Sequence, residues 1–300
     1  MRDFSREELE IIFDTARDVE SNPENYKNIF KDRRVALLFF EPSTRTYNSF
    51  KAAAEDLGCK INSIQDPSKS SIAKGETIND TVKTIEGYET DCIIIRDKHM
   101  GIAKYVAEIV DIPVINAGDG SREHPTQAMT DLYTILKERG KVDDLRIGIL
   151  GDLKYGRTCS SLSYGLSKYK NVEIVFIAPK ILRVRPEVKL YLKEKDVKYK
   201  EVEHPKDVIE DLDVLYVTRI QRERFPDPTE YEKVRGVYRI SLELIESNER
   251  LGVMHPLPRV DELSTDIDFT SHAWYFKQER NGLPLRKALL YLIFGGNHEN

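Results

Sequence analysis

The strongest constraint on the fold is an apolar run that leads straight into a helix start. Residues 35–40 are continuously apolar, which is typical of a parallel strand buried on both faces. The run stops at Glu41-Pro42, where proline has no N–H group to give to a sheet. Ser43 and Thr44 follow, and these residue types cap the first turn of helices. The sequence therefore predicts a β-strand followed directly by an α-helix.

The same alternation of strand-like and helical patterns continues along most of the chain. It predicts four strands in each half, at residues 35–40, 60–64, 92–95, 113–116, 145–150, 173–177, 214–217 and 252–254. Strands that alternate with helical patterns form parallel sheets that are covered by helices on both sides. The predicted fold class is therefore α/β, with two doubly wound parallel-sheet domains.

Helix signals and chain length set the predicted domain limits. A chain of 300 residues exceeds what one hydrophobic core usually supports. A capped helix is predicted from Ser5 to about Glu20, and a long helix at 125–139, ended by Gly140, joins the two domains. The last helix is predicted at 284–294, with Pro284 in its first turn, and returns to the first domain. The predicted limits are 1–125 plus 282–300 for the first domain, 139–275 for the second, and 126–138 and 276–281 for the connections.

Composition excludes several classes of protein. A net charge of -5 and a pI near 5.8, with both signs of charge interspersed, argue against a nucleic-acid-binding protein. No run of about 18 apolar residues offers a membrane span, and the first residues do not resemble a secretory signal. The three cysteines form no C-x-x-C pair, so neither a metal site nor a disulfide framework is predicted. A reducing cytoplasm fits this composition best.

The predicted helix start after residue 42 has the groups of an anion site. Free backbone N–H groups of its first turn, the hydroxyls of Ser43, Thr44 and Thr46, and the Arg45 guanidinium suit a phosphate group. An ordinary capped helix with a solvated arginine is the alternative, because helix caps of this kind are common.

Three more clusters in the first half carry candidate site residues. Ser70 and Lys74 lie in a loop that either closes over an anion or is simply a solvated loop. Arg96 follows a predicted strand at its carboxyl end, where open α/β sheets bind ligands. His124 and Gln127 lie where a loop meets a helix, although His124 alone would equally suit a structural role.

The second half places basic residues after two predicted strands. Arg157 closes a loop that lacks the G-x-G-x-x-G pattern of a dinucleotide site. Arg219, Gln221 and Arg224 follow the strand at 214–217. Two arginines from two strand ends suit a dicarboxylate, since each guanidinium binds a carboxylate bidentately. Surface salt bridges are the alternative.

Together these strings resemble the aspartate and ornithine carbamoyltransferases over the whole chain, because Ser43-Thr44-Arg45-Thr46 is the signature of their carbamoyl-phosphate site. The resemblance implies roles for several residues. Ser43 to Thr46 and Arg96 would hold the phosphate. Thr46, Arg96 and His124 would polarise the carbamoyl carbonyl, and Gln127 would bind its amide. Ser70 and Lys74 would reach into the site of a neighbouring subunit, although Ser71 is an alternative to Ser70.

The string from His255 to Arg259 indicates which acceptor the enzyme uses. Ornithine enzymes resemble His-Cys-Leu-Pro here and carry a Ser-Met-Gly string, whereas this chain has Pro256 and no such string. The resemblance therefore implies aspartate as acceptor, with its carboxylates on Arg157, Arg219 and Gln221. The backbone carbonyls of Leu257 and Pro258 would contact the carbamoyl nitrogen and the attacking amine. An ornithine-type enzyme, a non-catalytic homologue and, least favoured, a nicotinamide-dependent dehydrogenase are the alternatives.

The resemblance also implies how the enzyme works as an assembly. It predicts transfer of the carbamoyl group of carbamoyl phosphate to L-aspartate, an early step of pyrimidine biosynthesis, with no metal or other cofactor. The enzyme would be a cytoplasmic homotrimer with shared active sites, and binding of both substrates would close the two domains. Glu41 would pair with Arg157 and Arg224 in the closed state. Association of the trimer with regulatory chains is left open.

Overall fold

The computed structural model describes residues 1–220, 222, 225 and 227–295, and this chain folds as two compact units. The first unit comprises Glu7–Thr126 and the described residues from Gly282 onward, and the second comprises Met1–Arg6 and Gln127–Asn281. The predicted limits place residues 1–6 in the first domain, and the structure differs there. These residues lie in the second unit, where the Arg6 guanidinium donates two hydrogen bonds to the Asp143 carboxylate. A charged contact with a residue so far along the chain cannot be predicted from local patterns.

The first unit is built on a parallel sheet of four strands in the order β2-β1-β3-β4. Its strands are β1 (Arg34–Phe39), β2 (Lys60–Ile64), β3 (Cys92–Asp97) and β4 (Val114–Asp119). Its helices are α1 (Arg6–Ser21), α2 (Thr44–Asp56), α3 (Ile78–Glu86) and α4 (Ile102–Ile109). All four strands fall where the sequence predicts them.

Side-chain alternation along β1 gives this sheet a core on each face. Leu37 and Phe39 pack on one face with Phe50 of α2. Leu38 packs on the opposite face with Val106 of α4. The sheet is therefore covered on both sides, as the apolar run in β1 predicts.

The second unit is built on a parallel sheet of five strands in the order β7-β6-β5-β8-β9. Its strands are β5 (Arg146–Leu150), β6 (Glu173–Ile177), β7 (Lys198–Val202), β8 (Val214–Val217) and β9 (Gly252–Met254). Its helices are α6 (Arg157–Leu166), α7 (Pro186–Glu194), α8 (Pro228–Glu232) and α9 (Leu242–Ile245). Strand β7 was not predicted, because it is an edge strand with two lysines and no fully buried side chain.

Besides α1, whose first residue Arg6 belongs to the second unit, two helices contribute residues to both units. Helix α5 (Pro125–Arg139) has the predicted bounds, and the second unit begins at its third residue, Gln127. Helix α10 (Tyr275–Ile293) passes from the second unit to the first after Asn281. The prediction that the last helix begins at Pro284 is wrong, since Pro284 lies inside α10. The residues before it form helix despite the steric cost that proline imposes on the preceding turn.

The predicted fold class is confirmed: each unit is an α/β structure with a parallel sheet, and the last helix returns to the first unit. Among the described residues, no helix combines the length and apolar character needed to span a membrane.

Candidate active site

In the first unit, the candidate residues lie at or just after the carboxyl ends of three adjacent strands. Phe39 of β1 lies beside Arg96 of β3, and Asp97 of β3 lies beside Asp119 of β4. The loops that leave these strand ends therefore start from one edge of the sheet. Open α/β sheets bind their ligands at this edge.

The residues after β1 form the start of helix α2. Ser43 occupies the N-cap position in an extended conformation, with φ of -157°, and α2 begins at Thr44. The prediction that Ser43 caps the helix with its side chain is wrong, because no side-chain capping bond is present. The first N–H groups of a helix have no intrahelical acceptors and favour anions. An anion placed here would also meet the Ser43 hydroxyl.

Thr46, in the first turn of α2, and His124, in the loop after β4, lie next to each other. The Thr46 hydroxyl lies 3.4 Å from Nε2 of His124, and both side chains are buried. Asp119 shapes the loop that carries His124, because its carboxylate accepts hydrogen bonds from the backbone N–H groups of Glu123 and Gly101. Burial raises the pKa of Asp119, and these two hydrogen bonds oppose that effect.

Arg96 and Glu41 form an ion pair at the same edge. Nε of Arg96 lies 3.2 Å from the Glu41 carboxylate, and both side chains are mostly buried. The guanidinium is thereby held next to the start of α2. Pairing of Glu41 with Arg157 and Arg224 in a closed state stays a prediction, and Arg224 lies outside the described residues.

Ser70 and Lys74 lie on the loop after β2, which contains two short 3₁₀ turns, Pro67–Lys69 and Ser71–Lys74. Ser70 lies between the two turns, and Lys74 is the last residue of the second. The Ser70 hydroxyl donates to the Pro67 carbonyl at 2.8 Å and accepts a hydrogen bond from the N–H of Ile72 at 3.3 Å. Lys74 is exposed, and no ion pair involves it in the part of the chain that the structure describes. Among the described residues, neither Ser70 nor Lys74 makes a hydrogen bond or ion pair with Thr46.

In the second unit, candidate residues follow three more neighbouring strands, β5, β8 and β9. Arg157 is the first residue of α6 and is only 4% exposed. Arg219 follows β8 and is half-buried. Gln221, which the sequence analysis pairs with these arginines, lies outside the described residues. The two buried or half-buried guanidiniums thus come from adjacent strand ends.

Leu257 and Pro258, which follow β9, have an unusual backbone. Leu257 has a φ of +50°, and the peptide bond between the two residues is cis. A positive φ on a branched residue costs free energy and is most often found at functional sites. No sequence signal predicts this conformation.

The buried His255 side chain stabilises this turn through hydrogen bonds. Its Nδ1 accepts a hydrogen bond from the N–H of Leu257 at 2.7 Å, and its Nε2 lies 2.7 Å from the Glu262 carboxylate. The first bond requires an unprotonated Nδ1, so Nε2 carries the proton and donates to Glu262. Burial acts to raise the pKa of Glu262, but hydrogen bonds from His255 and the backbone hold the pKa below its usual value.

Two further residues, Asp131 and Gln278, link Gln127 to this turn. The side-chain amides of Gln127 and Gln278 both donate to Oδ1 of Asp131, at 2.9 and 2.6 Å. Oε1 of Gln278 accepts the backbone N–H of His255 at 2.9 Å. Neither linking residue is predicted from the sequence. The spacing of Gln127 and Asp131, one helical turn apart, is the only signal that the sequence offers for the pair.

Two family models match the chain. One, described as the carbamoyl-P binding domain of aspartate/ornithine carbamoyltransferase, matches residues 1–137. The other, described as the Asp/Orn binding domain of aspartate/ornithine carbamoyltransferase, matches residues 143–293.

Similar proteins cover nearly the whole chain. The aspartate carbamoyltransferase catalytic subunit of Hyperthermus butylicus is 50% identical, over 98% of this chain and 94% of that protein. The solved catalytic subunit of M. jannaschii aspartate transcarbamoylase is 46% identical, with a TM-score of 0.90, and the match covers 100% of this chain and 98% of that one. The aspartate transcarbamoylase of Trypanosoma cruzi, solved with carbamoyl phosphate and aspartate, is 34% identical, with a TM-score of 0.90 and coverage of 96% and 93%.

Proposed function

The chain belongs to the aspartate/ornithine carbamoyltransferase family, and we propose that it transfers the carbamoyl group of carbamoyl phosphate to the α-amine of L-aspartate. The products are N-carbamoyl-L-aspartate and phosphate. The observation that carries this proposal is that relatives at 50 and 51% identity, aligned over 98% of the chain, are aspartate carbamoyltransferase catalytic subunits. The anion-binding groups around the start of α2 support the same reaction.

Carbamoyl phosphate would be bound by the first unit. The N–H groups of α2, the hydroxyls of Ser43 and Thr44, and the Arg45 and Arg96 guanidiniums would hold the phosphate. Thr46, Arg96 and His124 would donate hydrogen bonds to the carbamoyl oxygen as negative charge develops on it. One such donor lowers a barrier of this kind by roughly 3–4 kcal/mol.

Aspartate would be bound by residues of the second unit. The Arg157 and Arg219 guanidiniums suit its two carboxylates, with Gln221 as a further ligand. The carbonyls of Leu257 and Pro258 would accept hydrogen bonds from the carbamoyl nitrogen and the attacking amine. The acceptor is thus selected by charge, because ornithine carries a side-chain ammonium that two arginines would repel.

The reaction is a direct acyl transfer. The neutral α-amine of aspartate attacks the carbamoyl carbon, a C–N bond forms, and the resulting tetrahedral oxyanion expels phosphate as the C–O bond breaks. The amine loses one proton, for which a phosphate oxygen is a suitable acceptor. Nearby positive charge from Lys74 and the arginines lowers the pKa of the aspartate ammonium, which favours the reactive neutral form.

We further propose that the active enzyme is a homotrimer in which Ser70 and Lys74 act in the site of a neighbouring subunit. The exposed Lys74 side chain, which has no ion-pair partner in the described part of its own chain, supports this arrangement. Several relatives are named catalytic subunits, which supports association with additional chains. The proposed setting is the cytoplasm and the proposed pathway is pyrimidine biosynthesis.

The test is an assay of the purified protein with carbamoyl phosphate and either aspartate or ornithine, followed by identification of the carbamoylated product. We expect product with aspartate only. Arg45→Ala should lower kcat/KM by at least about 100-fold, on the scale of losing one charge-stabilising donor. Arg17→Ala is the matched control, since Arg17 is an exposed arginine of α1 that pairs with Asp14. Carbamoylation of ornithine, or full activity of Arg45→Ala, would contradict the proposal.

A further inference from the structure

A single buried carboxylate fixes the orientation of two side-chain amides in the second unit. Asp131 is fully buried, and its Oδ1 accepts hydrogen bonds from Nε2 of both Gln127 and Gln278. A side-chain amide has a donor end and an acceptor end of nearly equal shape, so only its hydrogen-bond partners decide which way it points. An ionised carboxylate accepts hydrogen bonds and donates none, so it binds the NH₂ end of each amide.

Each fixed amide leaves its oxygen for a defined partner. Oε1 of Gln278 accepts the N–H of His255, and His255 in turn accepts the N–H of Leu257. The oxygen of Gln127 is left for the ligand, where the NH₂ group of a carbamoyl phosphate needs an acceptor. A continuous chain of hydrogen bonds therefore joins Gln127 to the backbone of Leu257.

We propose that Asp131 is a positioning residue for the reaction. It holds the Gln127 oxygen toward the carbamoyl NH₂ and, through Gln278 and His255, fixes the position of the Leu257–Pro258 turn. This inference rests on the proposed function and deepens it. Asp131 itself contacts neither substrate. It acts by making the site selective for a carbamoyl group, whose NH₂ donates hydrogen bonds, over an acyl group of the same shape that cannot donate them.

The orientation does not require a negative charge on Asp131. Burial raises the pKa of Asp131 to about 7, so both protonation states are populated near neutral pH. Oδ2 has no hydrogen-bond partner of ordinary geometry among the described residues. The Tyr216 hydroxyl nevertheless acts on the carboxylate as a hydrogen-bond donor, which lowers the pKa of Asp131 and so opposes the effect of burial. A proton on Oδ2 leaves Oδ1 able to accept both amide hydrogen bonds. Asp131→Asn should therefore preserve the arrangement, whereas Asp131→Leu removes the acceptor and keeps the same number and branching of side-chain heavy atoms.

The decisive measurement compares carbamoyl phosphate with acetyl phosphate, in which a methyl group replaces the NH₂. The ratio of the dissociation constant of acetyl phosphate to that of carbamoyl phosphate reports the hydrogen bonds accepted from the NH₂ group, that of Gln127 among them, and does not depend on overall stability. We expect Asp131→Leu to reduce this ratio by about 10- to 100-fold, the usual effect of one lost hydrogen bond with an unpaired partner. Asp131→Asn should change it by less than about 3-fold. The proposal would be overturned if the ratio were unchanged in Asp131→Leu, or if Asp131→Asn reduced the ratio as much as Asp131→Leu does.

Gln278→Met tests the part of the network that runs from Asp131 through Gln278 to His255. It also provides a second test if Asp131→Leu does not fold. The substitution removes the hydrogen bonds of Gln278 to Asp131 and to the N–H of His255 but leaves the bond between Gln127 and Asp131. We therefore expect the KM for aspartate to rise about 10-fold, with a smaller loss of selectivity for carbamoyl phosphate than in Asp131→Leu. An unchanged KM for aspartate would count against the role of the network in aligning the turn. Wild-type protein is assayed in parallel: failure of the wild type to form carbamoyl aspartate contradicts the proposed function, whereas an active wild type with unaffected variants contradicts only the positioning role.

Discussion

The Asp131 carboxyl group makes the free energy of unfolding depend on pH. Its pKa of about 7 in the folded chain lies well above the ordinary value of 3.8, first because of burial and further because of Glu279. Between about pH 4 and 7 the unfolded chain has released this proton and the folded chain still holds it, so stability falls as pH rises through this window.

Asp131→Asn cannot titrate and should lack this dependence. We expect the variant to gain stability relative to wild type as pH rises from 4.5 to 8, by up to about 4 kcal/mol. Urea unfolding of both proteins at several pH values measures the difference, in which the contributions of other titrating groups cancel. A difference in unfolding free energy that stays constant over this range would show that the Asp131 carboxyl titrates normally.

Some site residues can be located from the sequence, and others cannot. Arg96 and His124 could be placed at one edge of a sheet because each follows a strand with a clear apolar pattern, and parallel strands end on the same side. Asp131 could not be found in this way, because its partner Gln278 lies 147 residues along the chain. The left-handed backbone of Leu257 has no sequence signal either, since leucine adopts it only where surrounding contacts impose it.

At the scale of elements, the turn after β5 depends on a glycine. Gly151 has a φ of +119°, and a Cβ atom at this position would lie 2.2 Å from the Thr218 carbonyl oxygen. Gly151→Ala should therefore destabilise the protein by about 2–4 kcal/mol, through backbone strain together with displacement of the strand end.

Gly140→Ala is the matched control for this substitution. Gly140 also has a positive φ, +74°, but a Cβ atom there would meet nothing within 4 Å. Its replacement should cost about 1 kcal/mol, the effect of the backbone conformation alone. Denaturant unfolding of the two variants gives the comparison. Equal losses of unfolding free energy would mean that the backbone around Thr218 moves away from the added Cβ atom without a further loss of stability.

Elements with a strong periodic pattern were predicted well, and those without one were not. Helix α5 has its predicted bounds, because apolar residues recur through it and Gly140 follows its last residue. Strand β7 lacks such a pattern, since an edge strand is solvated on one side and buries little. The predicted start of α10 is wrong because proline favours the first turn of a helix, whereas Pro284 lies in the interior of this one.

At the scale of the whole molecule, the proposed substrates are divided between residues of the two units, so we expect the units to close when both substrates bind. Glu41 is the residue predicted to stabilise the closed state, by pairing with Arg157 and Arg224. Glu41→Gln should then raise the KM for aspartate about 10-fold, equivalent to about 1.4 kcal/mol.

Steady-state kinetics with each substrate varied separately will test this role. Because Glu41 also pairs with Arg96 in this structure, an effect confined to the KM for carbamoyl phosphate would show that Glu41 only positions Arg96. Glu55→Gln is a suitable control, as Glu55 is an exposed residue of α2 that pairs with Lys51.

The return of α10 to the first unit has a consequence for protein synthesis. Leu290 lies in the core of that unit, and the rings of Tyr291 and Phe294 pack against Tyr26 and Phe30. On the ribosome, residues 7–126 emerge first but cannot complete their core until α10 has been translated. Residues 127–281 are contiguous, and the six N-terminal residues that belong to the same unit have already been synthesised. The unit that is made second is therefore the first whose residues are all available, which reverses the usual N-to-C order of domain folding.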